Sequence, residues 1–258
     1  MATYGTWAVI AGASEGIGAA FARELAVAGY SIVLIARRAA PLEALATELR
    51  ALGRDVDTHA FDLAGPELER ELRAIVEARP IGVVVWNAAL SLMAPFLATP
   101  LDDHRRMLDI NTRGPVTAAH VFGAAMATRG RGAIVLLSSL TAFWGSAYLA
   151  TYGATKAFNL SLAEALSIEL GPRGVDVVAC CAGATSTPGF TALVAGRKGP
   201  RAMTPEAVAK KTLAKLHRRG AIVPGGFNAF AQFLMSRLFP RRLAIKIMAG
   251  ETKKLLPP

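Results

Sequence analysis

Seven short β-rich runs recur along the chain, at residues 7–11, 31–36, 56–61, 82–86, 133–137, 175–181 and 221–223. Several are apolar at consecutive positions rather than alternating. Such a strand is buried on both faces, which requires helices on both sides of its sheet. Each run is followed by a longer helical pattern, at 16–28, 41–52, 66–78, 101–129, 151–170, 205–218 and 228–248. Strict alternation makes the strands parallel and their crossovers right-handed. Pro41, Pro66 and Pro205 stand in the first turn of their helices, where a missing N–H costs nothing. The pattern predicts an α/β fold: one doubly wound, seven-stranded parallel sheet with helices on both faces. No interior linker, repeat or low-complexity tract divides it, and 258 residues suffice for one large core.

Composition removes several function classes. With 53% hydrophobic and 19% charged residues, overall disorder is excluded. No apolar run reaches the ~18 residues of a spanning helix. The N-terminus lacks a basic segment and cleavage site, so a cytoplasmic address is expected. The only cysteines, Cys180 and Cys181, are neighbours, and a bridge between them would be strained. His59, His104, His120 and His217 are scattered, so no metal site is expected. The net charge of +10 is localised. Residues 197–258 carry 14 Lys and Arg against Glu206 and Glu251, a balance of +12, whereas residues 1–196 balance at −2. The near-neutral body gives no sign of a nucleic-acid groove.

The first run leads through Ala11-Gly12-Ala13-Ser14-Glu15-Gly16-Ile17-Gly18 straight into a helix. Glycines let the backbone turn sharply and let a pyrophosphate approach, and the helix start offers unpaired N–H groups and a positive dipole end. A tight strand-to-helix turn would also use glycines; their place at the head of the chain favours the phosphate reading. The GxxxGxG spacing resembles the cofactor loop of the short-chain dehydrogenase/reductase family. That resemblance implies a single-domain Rossmann fold over residues 1–225, with 226–258 as a basic extension packed on or beside it.

The second run ends Leu34-Ile35-Ala36-Arg37-Arg38, and no acid lies between Glu24 and Glu43. In dinucleotide folds an acid here binds the ribose hydroxyls, and an arginine instead accommodates a 2′-phosphate. The expected cofactor is therefore NADP(H) rather than NAD(H), with Arg37 favoured over Arg38.

Tyr152-Gly-Ala-Thr-Lys156 lies in a helical pattern, so both side chains share a face. A phenol ionises near pH ~10, and a nearby ammonium is expected to lower that value, suiting proton exchange with a carbonyl oxygen. An ordinary i,i+4 helix pair has the same spacing. However, Lys156 is the only lysine among residues 1–196, and Ser139 lies thirteen residues before Tyr152, where the family carries its catalytic serine. Ser138 is expected to be structural. The resemblance further implies that Asn111 is the family's proton-relay asparagine. It places Asp62 and Leu63 at the adenine, Asn87 and Ala88 among the cofactor contacts, Gly183 in the nicotinamide segment, and Thr185 and Thr187 as carboxamide or phosphate contacts. Here Trp86-Asn87-Ala88-Ala89 departs from the family's Asn-Asn-Ala-Gly at both ends, and Ala182 replaces a proline.

The implied reaction is hydride exchange between the nicotinamide and a ketone or secondary alcohol. Segment 188–204 resembles the family's substrate lid. Trp144, Phe190, Ser139 and Tyr152 are the expected substrate contacts. The opening residues and the tyrosine region are similar to the branch of bacterial hydroxysteroid dehydrogenases and long-chain ketoacyl reductases, implying a steroid-like or fatty substrate. The family also implies a homodimer or homotetramer. A catalytically idle dinucleotide-binding sensor or scaffold is the alternative; the four intact catalytic positions speak against it. The C-terminal pattern mixes Phe230, Phe233 and Leu238 with Arg237, Arg241, Arg242 and Lys246, as a peripheral membrane helix, an oligomer arm or a pocket cover would.

Overall fold

The computed structural model describes residues 4–195 and 199–256. Residues 1–3, 257–258 and lid positions 196–198 lie outside the described residues. Seven parallel strands form one sheet: β1 (Trp7–Ala11), β2 (Ser31–Ala36), β3 (Val56–Ala60), β4 (Ile81–Trp86), β5 (Gly132–Ser139), β6 (Val175–Ala182) and β7 (Gly220–Ile222). Their order is β3-β2-β1-β4-β5-β6-β7. The direction of winding reverses between β1 and β4, and such a switch point opens a crevice beyond the strands' carboxyl ends.

The helices are α1 (Gly16–Val27), α2 (Ala39–Ala51), α3 (Leu68–Ala78), α4 (Leu101–Leu108), α5 (Gly114–Arg129), α6 (Ala150–Leu170), α7 (Pro188–Val194), α8 (Pro205–Leu213), α9 (Gly226–Arg237) and α10 (Arg241–Lys253). Alternate strand residues feed two cores. Ala8 and Ile10 join Phe21, Leu25 and Leu42 of α1 and α2 on one face. Val9 and Ala11 join Leu72, Phe122 and Leu160 of α3, α5 and α6 on the other. All six residues of β4 are buried, as a doubly covered strand must be. Each fully buried Leu or Phe contributes about 2 kcal/mol.

Several helical boundaries depart from the sequence pattern, and the expected 205–218 helix ends at Leu213, followed by a separate short turn at Leu216–Arg218. The 66–78 helix starts at Leu68, after Pro66. The single helix expected over 101–129 is interrupted by a π-helical turn at Asp109–Arg113. Pro115 has no N–H, so the carbonyl of Asn111, four residues earlier, lacks its α-helical donor, and the wider turn relieves this. The expected 228–248 helix is two helices, because Pro240 forces the preceding residue out of helical geometry and begins α10. No helix of the described residues is long and apolar enough to cross a membrane.

Candidate active site

The carboxyl ends of β1 and β4 open onto a groove made of two adjoining cavities of about 590 and 480 Å³, which share Ile17, Asn87, Ala89, Thr187 and Gly189 in their walls. The larger runs along the glycine loop to Arg37, Arg38, Asp62 and Leu63. The smaller holds Ser139, Tyr152, Lys156, Gly183, Thr185 and Phe190. The groove thus brings together most of the residues singled out by sequence.

The loop is built for close approach. A Cβ on Gly18 would meet the Gly12 carbonyl oxygen at 2.1 Å, and one on Gly12, at φ +77°, would meet Ala88 at 2.7 Å. Asn87 Nδ2 donates to that Gly12 carbonyl at 2.8 Å, pinning the end of β4 to the loop. The departure at Trp86 also has a packing role. Its ring is buried, and a Cβ on Gly114 would stand 2.6 Å from it, so glycine at 114 makes room for the indole.

At the far end, Arg38 is tied to Glu15 at 2.8 Å. Arg37 is exposed and makes no side-chain hydrogen bond or ion pair among the described residues. Asp62 accepts from the Ala64 N–H and from Arg106 Nη2, at 3.1 and 2.8 Å. Burial works against its ionisation, but the bond from Arg106 and the backbone bond outweigh this and hold the carboxyl below its ordinary value. Arg106, which lines the same cavity, was not marked by any sequence motif. The glycine cradle and the cavity's size fit a nicotinamide dinucleotide.

The chemical end is set by β5 and α6. Ser138 Oγ donates to the Lys156 carbonyl, and Lys156 Nζ donates to the Leu137 carbonyl, both at 2.7 Å. These bonds clamp the helix to the strand end. Ser139 accepts from the Thr141 N–H at 3.2 Å and lines the same cavity as the Tyr152 phenol. Lys156 Nζ lies 5.4 Å from the centre of the Tyr152 ring. Asn111 is fully buried. Its amide bonds both backbone groups of Leu90 at 2.8 and 2.9 Å and Thr155 Oγ1 at 3.0 Å, joining the loop after β4 to the turn that carries Lys156.

The phenol is not lowered as the Tyr-Lys spacing predicts. Burial pushes Tyr152 up to about 12, with the neighbouring Ser139 hydroxyl pulling the other way. Burial also pushes Lys156 down to about 8. Desolvation penalises both charged forms and is the largest cause of each shift. Tyr152 is therefore held in its neutral form.

Trp144 does not line the groove; it is buried, 5.6 Å from Phe143 between ring centres. Thr185 donates to the Gly183 carbonyl at 3.0 Å, and Thr187 caps α7 through the Phe190 N–H at 3.3 Å. Ser91 and Met93, which sequence reasoning passed over, complete the smaller cavity. Their place just beyond the carboxyl end of β4 was the available signal.

Comparisons agree with this geometry. The family model for short chain dehydrogenases matches residues 6–198. A 7β-hydroxysteroid dehydrogenase of Collinsella aerofaciens is 31% identical over 87% of this chain and 88% of its own. A very-long-chain 3-oxoacyl-CoA reductase of Neurospora crassa is 37% identical over 67% of this chain and 54% of its own. A structure solved in work on 7β-hydroxysteroid dehydrogenase stereoselectivity superimposes with a TM-score of 0.89 at 29% identity, covering 95% of this chain and 97% of that one. A Sphingobium yanoikuyae short-chain dehydrogenase in complex with NADPH gives 0.79 at 30%, covering 91% and 96%.

Proposed function

This chain belongs to the short-chain dehydrogenase family, oxidoreductases acting between CH–OH and C=O groups, and we propose that it is an NADP(H)-dependent reductase of bulky apolar ketones, steroid-like or fatty, that also runs the reverse oxidation. The observation that carries this reading is that Ser139, Tyr152 and buried Lys156 line one cavity, with Lys156 Nζ 5.4 Å from the centre of the Tyr152 ring. The bound cofactor supplies hydride to the carbonyl carbon. The chain's own residues do the rest. Gly12, Ser14, Glu15, Gly16 and Ile17 line the phosphate path, Gly18 lies buried behind them against the Gly12 carbonyl, and Arg37 reads the 2′-phosphate. Asp62 and Leu63 flank the adenine, and Asn87, Ala88, Gly183, Thr185 and Thr187 border the nicotinamide. Ser139 holds the carbonyl oxygen, and Tyr152 gives its proton to the forming alkoxide. Lys156 stabilises the phenolate left behind, and Asn111 positions the Lys156 turn and links it to solvent.

Met93, Phe190 and Leu193 make the smaller cavity's wall apolar, which supports the substrate class, as do the named activities of the relatives. Exposed Leu101, Leu108, Val116 and Phe158 on α4, α5 and α6 support self-association as a homodimer or homotetramer. The test is NADPH absorbance against a panel of ketosteroids, β-ketoacyl esters and small aromatic ketones. Ketosteroids or long β-ketoacyl esters should be consumed fastest; no turnover of any ketone would contradict the reading.

The pH profile of reduction follows from the two buried groups. Tyr152 keeps its proton up to about 12, and Lys156 keeps its charge only below about 8. Reduction should therefore hold a plateau at lower pH and fall as pH rises through about 8, as the ammonium is lost. kcat/KM against pH checks this; a profile flat until the phenol itself ionises would exclude Lys156.

A further inference from the structure

We propose that the face formed by α9 and α10 docks the enzyme on an anionic lipid surface. The inference goes beyond the catalytic reading and stands without it. Helix α9 has no buried residue. Phe227, Phe230 and Phe233 follow one another along one side of it at 71%, 65% and 56% exposure, and exposed Leu238 continues the row. Helix α10 packs against α9 and adds exposed Leu243 and Ile247. Three exposed phenylalanines on successive turns are a large apolar patch for a surface with no use for it.

Cations border this patch. Arg237, Arg242 and Lys246 are exposed and form no ion pair among the described residues. No acid occurs anywhere in residues 207–250, which hold nine Lys and Arg. A helical pair with an aromatic face framed by unpaired cations is the chemistry that inserts at the headgroup boundary of anionic bilayers. A second copy meeting the same face would set these cations against their own duplicates. Charge therefore favours lipid over self-pairing.

The helix pair that carries this face also borders the groove on its inner side. A Cβ on Gly183 would stand 2.7 Å from Asn228 Nδ2 of α9, and Arg241 Nη1 donates to the Phe143 carbonyl at 3.1 Å. Docking there brings the catalytic cavity beside the bilayer, where an apolar ketone partitions.

The test is co-sedimentation of the full chain with phosphatidylcholine vesicles, with and without phosphatidylglycerol, in rising salt. NADPH binding serves as the check that each variant is folded. Binding is expected only with phosphatidylglycerol, and salt should weaken it. The triple variant Phe227→Ser, Phe230→Ser, Phe233→Ser should lose it. The triple variant Arg237→Gln, Arg242→Gln, Lys246→Gln should weaken partition by about a hundredfold, at roughly fivefold per charge. Absence of sedimentation with phosphatidylglycerol, or binding that both folded variants retain, overturns the proposal. So does a phenylalanine variant that changes only the oligomeric state, which would assign the face to a second copy. Because the readout is binding, failure here leaves the reductase reading intact, and failure of ketone turnover leaves this one intact.

Discussion

Tyr152→Phe should lower kcat for ketone reduction by about a thousandfold while NADPH binding stays within experimental error of the parent. Positioned acid–base groups contribute roughly 10²–10⁴ in rate. The phenol shares the smaller cavity with Ser139 and Lys156. Removing one hydroxyl leaves the ring to pack as before, so the melting temperature should barely move. A titration of NADPH fluorescence separates the two effects. Retained turnover would mean that another group protonates the alkoxide, and lost cofactor binding would mean that Tyr152 supports the groove rather than the chemistry.

Arg37→Ala should raise the Kd for NADPH by roughly ten- to a hundredfold and leave that for NADH nearly unchanged. A charge-assisted hydrogen bond contributes about 1.5–3 kcal/mol, and that difference falls only on the cofactor bearing the extra phosphate. The same change at Arg38 should cost less, because Arg38 is already paired with Glu15 at 2.8 Å. Parallel titrations of both cofactors measure the contrast. Equal losses would show that Arg37 does not distinguish them.

The fold was legible in the sequence because its signals are local. The sheet's strands announce themselves by apolar runs, and the order of strand and helix leaves little choice of topology. The glycine loop and the Tyr-Lys pair were legible for the same reason, since each is a short motif whose geometry follows from one turn. What stayed hidden depends on contacts between distant residues. Arg106 meets Asp62 across 44 positions. Trp144 reads as a pocket aromatic until its burial is seen. The direction of the phenol's shift was misjudged because spacing brings Lys156 close but says nothing of desolvation, which decides the sign. The break between α9 and α10 is different in kind. Pro240 carried the signal, and the amphipathic pattern across it masked it.

The central claim is that Ser139, Tyr152 and Lys156 form one reaction centre at the nicotinamide end of the groove. A crystal structure of the complex with NADP+ tests it most directly. The nicotinamide ring should lie in the smaller cavity, in contact with the Tyr152 hydroxyl, with the adenosine phosphate at Arg37. A ring seated elsewhere, or a Tyr152 hydroxyl turned away from it into solvent, would contradict the account.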